Sequence, residues 1–544
     1  MAGSDPKLYL CLLGVVLIAW RYLFNRRRTE ATWEKIPGPP SASYWLGNMS
    51  RFSARDGTDF QRHVSLDYGP VSKIYGLFSE PIINFADPKA LHTILIKEEH
   101  IFQESQAFLS MNMLVFGPGL LSTVGDMHRR QRKLLNPAFS TSHMRSMLPI
   151  FYRIVHKLRD AISTQVKEGP REVDILNWMG RTALELIGQG GLGYSFDPLT
   201  EDVQNQYGNA LKDLFPSMQK LGIVWQLVPF ISKLGPAHVR RAMLDMIPYK
   251  KAHKVKAIVD TMSQKSQGIF DVKATALRSG DEVLAQQVGE GKDIMSILMR
   301  ANATTSDEDR LPDHELIAQM STLVLAAVDT TSNALSRILQ LLAEHQGVQE
   351  KLRKEILDAG ASDSLTYDEL DQLPFLDSVC RETLRVYPPV FQVFREAISD
   401  TVLQLSEPIV GTDGKLIHEI PITKGMKVVV GILGCNLSKS LWGEDAREWK
   451  PERWLSPLPS AVTKNTIPGV YANLMSFLGG KRGCIGFKFS EMEMKVVLSV
   501  LLSSFKFELT DKPIEWNVAG VRYPTVGKVS DVPQLPLRVE LLKA

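Results

Sequence analysis

The sequence is poor in cysteine and lacks an excess of either charge. Its 544 residues include four cysteines, 63 Lys and Arg residues and 60 Asp and Glu residues, so the net charge is +3. So few cysteines exclude a disulfide scaffold, and no C-x-x-C pair of the kind that binds zinc is present. The near-balance of charge argues against nucleic-acid binding, which needs a basic surface. We found no internal repeat or low-complexity tract. The composition indicates a globular protein, and the low cysteine count indicates a reducing compartment.

The N-terminus carries the one long apolar run. Residues 8–24 are almost all apolar and are just long enough to cross a bilayer as a helix. Arginines at 26–28 follow, which predicts a membrane anchor with the body in the cytosol. A cleaved signal peptide is the alternative, but no cleavage site follows and the arginines lie on the wrong side. We assign residues 1–28 to the anchor with its basic flank and the proline-rich residues 29–40 to a stiff hinge.

The remaining residues, 41–544, are interpreted as one large, mainly helical body. Helical apolar spacing recurs in residues 144–168, 173–187, 241–278, 348–358 and 367–386. Short strands are expected within residues 71–85, 506–509 and 537–541. No second linker interrupts this body, so a single catalytic domain is expected.

The longest helix should lie near the middle of the body. It follows a polar loop at Asn302–Arg310, has Pro312 at its first position and is expected to end near Gly347. About 35 residues make a helix of roughly 50 Å. A helix so long and so apolar must cross the centre of a large domain.

Residues Gly188–Gly193 have the sequence G-x-G-x-x-G, which is also the pattern of a dinucleotide-binding motif. Such a motif binds dinucleotides only between a strand and a helix. Here the preceding residues have the apolar spacing of a helix. The glycines therefore indicate the end of a helix and a turn.

Cys484 stands in a glycine-rich loop just before a predicted helix. Unpaired N–H groups at a helix N-terminus lower the pKa of a thiol and hold its thiolate. Glycines let the backbone approach a flat ligand, Arg482 could reach an acidic group on it, and Phe477 could cover one face of the loop. The alternative is an inert buried cysteine. This alternative is remote, because four residue types in the loop agree with a single pattern.

The loop pattern F-x-x-G-x-R-x-C-x-G, formed by Phe477, Gly480, Arg482, Cys484 and Gly486, resembles the haem-binding loop of the cytochromes P450. The resemblance implies the mainly helical P450 fold, with a long central helix and a small β-rich side. It also implies that heme b is the cofactor and that the cysteine is the axial thiolate ligand of its iron.

Further motifs carry the same resemblance in the same order. Glu382 and Arg385 share a helix face and, with Arg453, resemble the buried Glu-Arg-Arg network of the family, whose role is structural. Arg395 matches the arginine that binds a haem propionate. The basic run 128–133 resembles W-x-x-x-R, so the resemblance assigns His128 and Arg132 to the propionates. Histidine at this tryptophan position is associated with fungal members.

Within the long helix, Ala326 to Asn333 is unexpectedly polar. The stretch resembles the oxygen-activation motif [A/G]-G-x-[D/E]-T-[T/S], with Ala327 in place of the usual glycine. Asp329 and Thr330 are expected to handle protons, and threonine hydroxyls that bond back to carbonyls are expected to open the helix locally. A polar seam between packed helices is the alternative reading of the residues alone.

The resemblance implies a monooxygenase that inserts one atom of O2 into an apolar substrate with NADPH-derived electrons from a separate reductase. It places the chain on the endoplasmic reticulum membrane. A terpenoid, sterol, fatty acid or other lipophilic compound of fungal secondary or xenobiotic metabolism is expected. The substrate walls are expected at Phe108–Phe116, 320–327 and Phe391–Phe394.

A basic patch is expected on the cysteine side, where an acidic flavoprotein could dock. Its members are Arg129, Arg130, Lys133, Lys481 and Lys488. Two other functions stay open: a reductase-independent haem-thiolate isomerase or dehydratase, and a non-catalytic, membrane-tethered lipid-binding protein. The N-x-S/T sequons at Asn48, Asn302 and Asn436 are expected to be unmodified.

Overall fold

The computed structural model describes residues 32–200, 206–222, 227–280, 288–360, 364–465 and 467–542. Helices dominate these residues. The helices of nine or more residues are Thr58–Leu66, Gln106–Phe116, Gly125–Leu135, Thr141–Val166, Ile175–Leu186, Gln206–Gln219, Ala237–Asp245, Lys250–Ser279, Ile294–Thr304, Asp313–Glu344, Gln346–Asp358, Pro374–Val386 and Phe487–Ser504. Shorter helices lie at Met49–Phe52, Pro88–His92, Val228–Ile231, Tyr367–Asp371, Ile432–Asn436, Lys439–Trp442 and Ser460–Lys464. The predicted mainly helical architecture is observed.

Short strands form the β-rich part. In chain order they are β1 (Val71–Tyr75), β2 (Pro81–Phe85), β3 (Phe102–Gln103), β4 (Arg171–Asp174), β5 (Val393–Ala397), β6 (Thr401–Val410), β7 (Leu416–Ile422), β8 (Lys427–Val430), β9 (Phe505–Leu509), β10 (Ile514–Asn517), β11 (Tyr523–Val526) and β12 (Pro536–Leu541). The largest sheet has the order β1-β2-β8-β5-β3, and a second has the order β4-β12-β9. Strands β6 and β7 pair with each other, as do β10 and β11. The predicted hairpin within residues 71–85 is present as the antiparallel pair β1 and β2, whereas β2 and β8 run parallel.

Side-chain caps fix where several helices begin. Ser140, Asp174 and Asp293 each precede a helix and accept a hydrogen bond from the backbone N–H three residues further on. Such caps satisfy N–H groups that have no partner inside the helix. The helices at 141, 175 and 294 therefore start where the sequence supplies a short polar side chain.

The central helix, Asp313–Glu344, crosses the hydrophobic core, and its inner face from Leu335 to Leu342 is largely buried. Pro312 caps this helix instead of occupying its first position. The predicted end at Gly347 is wrong. The helix stops at His345, whose backbone is not helical and whose ring stacks on Trp449 with centroids 5.1 Å apart.

The predicted polar loop at Asn302–Arg310 is shorter than expected, since the helix Ile294–Thr304 continues into it. Asn302 is buried there, where its side chain donates to and accepts from the backbone of Leu311. The other two sequon asparagines, Asn48 and Asn436, are also buried. A glycan needs an exposed side chain, so these positions suit unmodified asparagine.

The glycines of Gly188–Gly193 lie where a helix ends. The helix Ile175–Leu186 continues as a single wider turn, Ile187–Leu192, and Gly193 adopts a left-handed backbone conformation. No strand precedes the motif, as expected, so the context for dinucleotide binding is missing.

The predicted anchor, residues 1–28, lies outside the described residues, as do the first residues of the hinge. Within the described part of the chain, no helix is both long and apolar enough to cross a membrane.

Candidate active site

Cys484 lies in a tight loop before the helix Phe487–Ser504. Its backbone N–H donates to the carbonyl of Phe477 at 2.8 Å, which closes the loop. The side chain has accessible surface although it lies deep inside the fold, so the thiol faces an internal space. Burial raises the pKa of the Cys484 thiol, opposed by the N–H of Gly486 and the charge of Arg132. The backbone N–H therefore lowers the thiol pKa as expected, but in the polypeptide alone desolvation outweighs this effect.

Gly480 and Gly486 differ in how strictly they need to be glycine. Gly480 has a φ of +68°, and a Cβ built on it would lie 2.0 Å from the carbonyl oxygen of Leu95. At Gly486 the nearest atom to such a Cβ is 3.7 Å away, on the ring of Phe139. Of these two glycines, Gly480 is the one that lets the loop backbone approach its neighbour closely.

The ring of Phe477 lies among other aromatic rings beside the loop. It is 5.3 Å from Tyr471 and 6.2 Å from Phe487, measured between centroids. The ring thus packs on the side chain that begins the next helix, as expected for a residue that covers one face of the loop.

Arg395 and Arg482 meet at a carboxylate that the sequence motifs do not indicate. Arg395 pairs with Glu104 at 2.6 Å, and Nε of Arg482 lies 3.8 Å from the same carboxylate. Arg482 also donates to the carbonyl of Thr123 at 2.6 Å. Nη2 of Arg395 is buried and has no hydrogen-bond partner among the described residues.

His128 and Arg132 join this cluster from the helix Gly125–Leu135. Arg132 donates to the carbonyl of Gly483, beside Cys484, at 2.7 Å. His128 is buried, and its pKa is lowered to about 3, first by burial and then by the charges of Arg482 and Arg132. The imidazole is therefore neutral at physiological pH. The structure also brings together the predicted residues of two motifs that are distant in sequence, the basic run 128–133 and the cysteine loop.

The cluster carries more positive than negative charge. Arg132, Arg395 and Arg482 lie near the carboxylate of Glu104, and the only other carboxylate that acts on Arg482 among the described residues, Glu99, already pairs with Lys481. Buried charges need partners, so this surplus and the free Nη2 of Arg395 suit a group with two carboxylates. A haem has two propionates, and the thiol that faces the same interior suits its iron. The residues present therefore fit haem.

Asp329 and Thr330 lie on different faces of the central helix, since adjacent residues are about 100° apart. The Thr330 hydroxyl donates to the carbonyl of Ala326 at 2.7 Å, as expected for a back-bonding threonine. The helix nevertheless continues without a break, so the predicted local opening is not observed. Ala326 is exposed although it sits mid-helix, which marks an internal space on this face.

Asp329 lines a cavity of about 60 Å³ between the central helix and the helices Ile175–Leu186 and Gln206–Gln219. Burial raises the pKa of its carboxyl to about 7, and the positive charge of Lys212 opposes that rise. Ser332 and Asn333 line the same cavity. Asp329 is therefore poised to hold or release a proton near neutral pH.

Glu382, Arg385 and Arg453 form a buried network. Two guanidinium nitrogens of Arg385 donate to Glu382, each at 2.8 Å, and Nε of Arg453 lies 3.4 Å from Glu382. Asp445 and Trp454 complete the network and were not singled out from the sequence. Asp445 pairs with Arg453 at 2.8 Å, and the indole of Trp454 donates to Glu382 at 3.0 Å.

The expected substrate walls divide into two groups. Met111 and Phe116 are buried in the main core beside the central helix, and Phe108 and Met113 keep much of their surface exposed. Phe391 and Phe394 instead pack in two smaller clusters outside that core.

The chain matches known proteins over almost its full length. Residues 37–521 match the family model described as cytochrome P450. The cytochrome P450 monooxygenases 81 and 212 of Postia placenta are 60% and 56% identical to this chain. The first alignment covers 100% of this chain and 99% of the relative, and the second 98% and 99%. The ganoderic acid synthetase of Ganoderma lucidum is 46% identical, over 99% of each chain.

The match spans the loop of Cys484, the central helix and the Glu382 network. Proteins of this family bind haem through a cysteine thiolate, so haem is the cofactor. By this match and by its fungal relatives, the chain belongs to the cytochrome P450 family and is a monooxygenase.

Proposed function

We propose that this chain inserts one atom of O2 into an apolar organic substrate, with Cys484 as the thiolate ligand of the haem iron. The observation that carries the proposal is the thiol of Cys484, which faces an internal space beside Arg132 and the surplus of arginine charge. Thiolate-bound haem supplies oxygen activation, because the thiolate pushes electron density that favours O–O cleavage.

We assign the propionates to His128, Arg132, Arg395 and Arg482. Their burial and convergence support this role, since three guanidinium groups outnumber the carboxylate of Glu104. Phe477, Gly480 and Gly486 would shape the loop that presents the cysteine. Glu382, Arg385 and Arg453 would hold the scaffold behind it, without contact to the substrate.

Asp329 and Thr330 would move protons toward the reacting centre. Asp329 takes its proton from the cavity that it shares with Lys212, and its pKa of about 7 lets both protonation states exist near neutral pH. The hydroxyl of Thr330 donates a hydrogen bond to the carbonyl of Ala326, which is an exposed residue. The intact acid and alcohol favour oxygen insertion over rearrangement without a reductase.

The substrate class is apolar, and a terpenoid, sterol or fatty acid of fungal secondary or xenobiotic metabolism fits. The buried apolar side chains Met111 and Phe116, together with the adaptable Met113, support this class. One relative is named ganoderic acid synthetase, and an organic acid product would be compatible with the proposed class.

Electrons would come from NADPH through a separate reductase. Of the expected docking patch, Arg130, Lys133 and Lys481 already pair with Glu315, Asp309 and Glu99 in this chain. Arg129 pairs only at 3.8 Å with Asp126, both side chains being exposed, and Lys488 donates to the hydroxyl of Thr141. We therefore assign the contact with an acidic flavoprotein mainly to Arg129 and Lys488.

We infer that residues 1–28 anchor the chain in the endoplasmic reticulum membrane, with 29–40 as hinge and 41–544 as the cytosolic catalytic domain. The apolar run followed by arginines supports this topology. When the full chain and residues 29–544 are expressed in parallel, the full chain should resist carbonate extraction from membranes and the shorter one should not. Equal extraction, with haem bound in both, would remove the anchor.

The thiolate assignment is tested by the reduced carbon monoxide difference spectrum of the full chain and of the Cys484→Ala variant. We expect a strongly red-shifted Soret band that the variant lacks, whereas Cys380→Ala, at a buried cysteine, should keep it. Haem-free but folded wild-type protein would favour the lipid-binding alternative. Turnover without NADPH or reductase would favour the isomerase or dehydratase.

A further inference from the structure

Three arginines come together away from Cys484, and one carboxylate, that of Glu344, acts on Arg337. They are Arg62 on the helix Thr58–Leu66, Arg337 on the central helix and Arg522 just before β11. Their charges act on one another, since Arg62 and Arg337 both lower the pKa of Arg522. None of the three forms an ion pair with an acidic residue in the part of the chain that the structure describes. Three positive charges near the single carboxylate of Glu344 are unfavourable, so this group calls for a further anion.

Arg522 is the most deeply buried of the three, with 7% of its surface exposed. Its Nε and Nη2 are buried and find no hydrogen-bond partner among the described residues. The guanidinium lies 4.5 Å from the centroid of the Phe391 ring. Burial lowers the pKa of Arg522 to about 9, which leaves it charged at neutral pH.

Arg337 is held in place by neutral groups. Its guanidinium carbon is 4.1 Å from the ring of Tyr387 and 4.3 Å from the ring of Trp516. Its Nη1 donates to Oε1 of Gln340 at 3.1 Å, and the indole of Trp516 donates to the same oxygen at 2.8 Å. The side chain is therefore fixed, the carboxylate of Glu344 offsets part of its charge, and it keeps some accessible surface.

On the side of Arg522 and Phe391 the surroundings are apolar. Phe391 packs in a cluster with buried aliphatic side chains from three further segments, namely Val386, Leu433, Leu437 and Val518. A planar guanidinium binds a carboxylate through two parallel hydrogen bonds, which a lysine cannot do. Apolar walls around such a group favour an acid with a hydrocarbon body over a small hydrated ion.

We propose that Arg337 and Arg522 form a binding site for the carboxylate of a lipophilic acid. Arg62 adds positive charge at its edge. Arg337 lies seven residues beyond Thr330, roughly 10 Å along the helix axis. The site is therefore distinct from the cysteine loop, and its occupancy does not depend on the reaction proposed above.

The test compares binding of decanoate, decanol and inorganic phosphate to the haem-loaded full chain by calorimetry. We expect decanoate to bind at least about tenfold more tightly than decanol, because only the acid can form charge-assisted hydrogen bonds with the arginines. Arg522→Gln should weaken decanoate about tenfold and leave decanol unchanged. The matched control is Arg538→Gln, at an exposed arginine on β12, which should change neither affinity.

Folding is monitored by the melting temperature without ligand. It should not fall in Arg522→Gln, because the substitution removes an uncompensated charge, and the rise caused by decanoate in wild type should be lost. Equal affinity for decanoate and decanol, or unchanged decanoate binding in Arg522→Gln, would overturn the proposal. Phosphate binding as tight as that of decanoate would point to an inorganic anion site and would overturn it too.

Discussion

Glu104 shows what a sequence motif does not reveal about a single residue. Its carboxylate binds Arg395, 291 residues further along the chain, and also lies near Arg482. No spacing rule singles out this glutamate, because its partners come from distant segments. The arginines themselves were found because each belongs to a short motif.

Asp329 gives a prediction at the same scale. Its carboxyl has a pKa of about 7 in the folded chain, raised by burial from 3.8. Between these two values the unfolded chain is ionised while the folded chain keeps its proton, so ionisation favours unfolding. The melting temperature of wild type should therefore fall relative to Asp329→Asn as pH rises from about 4 to about 7, and the difference should stay constant above 7.

Thermal melts of the haem-loaded proteins at stepwise pH measure this difference. Ser332→Ala, which alters the same cavity without a titrating group, should run parallel to wild type. Turnover of Asp329→Asn should also fall about hundredfold, as for loss of a general acid. If the melting temperatures of wild type and Asp329→Asn changed with pH in the same way, this carboxyl would not be buried in its neutral form.

At the scale of helices and strands, local sequence patterns predicted which elements are present better than they predicted where each element ends. The hairpin of β1 and β2 and the central helix follow from apolar spacing, which depends only on neighbouring residues. The end of the central helix does not, since it depends on the stacking of His345 on Trp449, a contact with a distant segment. Trp454 was missed for the same reason, because its partner Glu382 is distant in sequence. Asp445 was missed because its partner, Arg453, was singled out only for its link to Glu382.

The cysteine loop gives a prediction about its two motif glycines. Gly480→Ala forces a Cβ against the carbonyl of Leu95 at a positive φ, whereas Gly486→Ala meets only a ring at 3.7 Å. We expect Gly480→Ala to lower the free energy of unfolding by about 1–3 kcal/mol from backbone strain alone. Gly486→Ala should change it by less than about 1 kcal/mol.

Urea unfolding gives both energies, and the ratio of Soret to protein absorbance reports haem retention. Gly480→Ala should lose haem, while Gly486→Ala should keep it. Equal haem retention in the two variants would mean that the close approach to Leu95 does not shape the loop.

For the whole molecule, the Glu382 network joins the helix Pro374–Val386 to residues 436–454. Besides the arginines, Glu382 accepts hydrogen bonds from the backbone of Lys450 and from Trp454. Glu382→Gln keeps the shape but leaves the charge of Arg385 without its partner. We expect the global free energy of unfolding to fall by about 3–5 kcal/mol.

The matched control is Glu452→Gln, in the same region of the fold. Glu452 is partly exposed and pairs with Lys351 on the surface. Its substitution should therefore lower the free energy of unfolding by less than about 1 kcal/mol. Chemical unfolding followed by tryptophan fluorescence measures both variants. Similar midpoints for the two would mean that the buried network does not stabilise the domain.

The parallel pairing of β2 with β8 has a consequence for biosynthesis. The two strands are separated by roughly 340 residues. At about 5–20 residues per second, a ribosome needs about 20–70 s to make the intervening chain. Throughout that interval, one edge of the β1–β2 hairpin has no partner strand, and for most of it Arg395 of β5 has not been made and cannot pair with Glu104. The largest sheet and the arginine cluster therefore close late, after most of the polypeptide has left the ribosome.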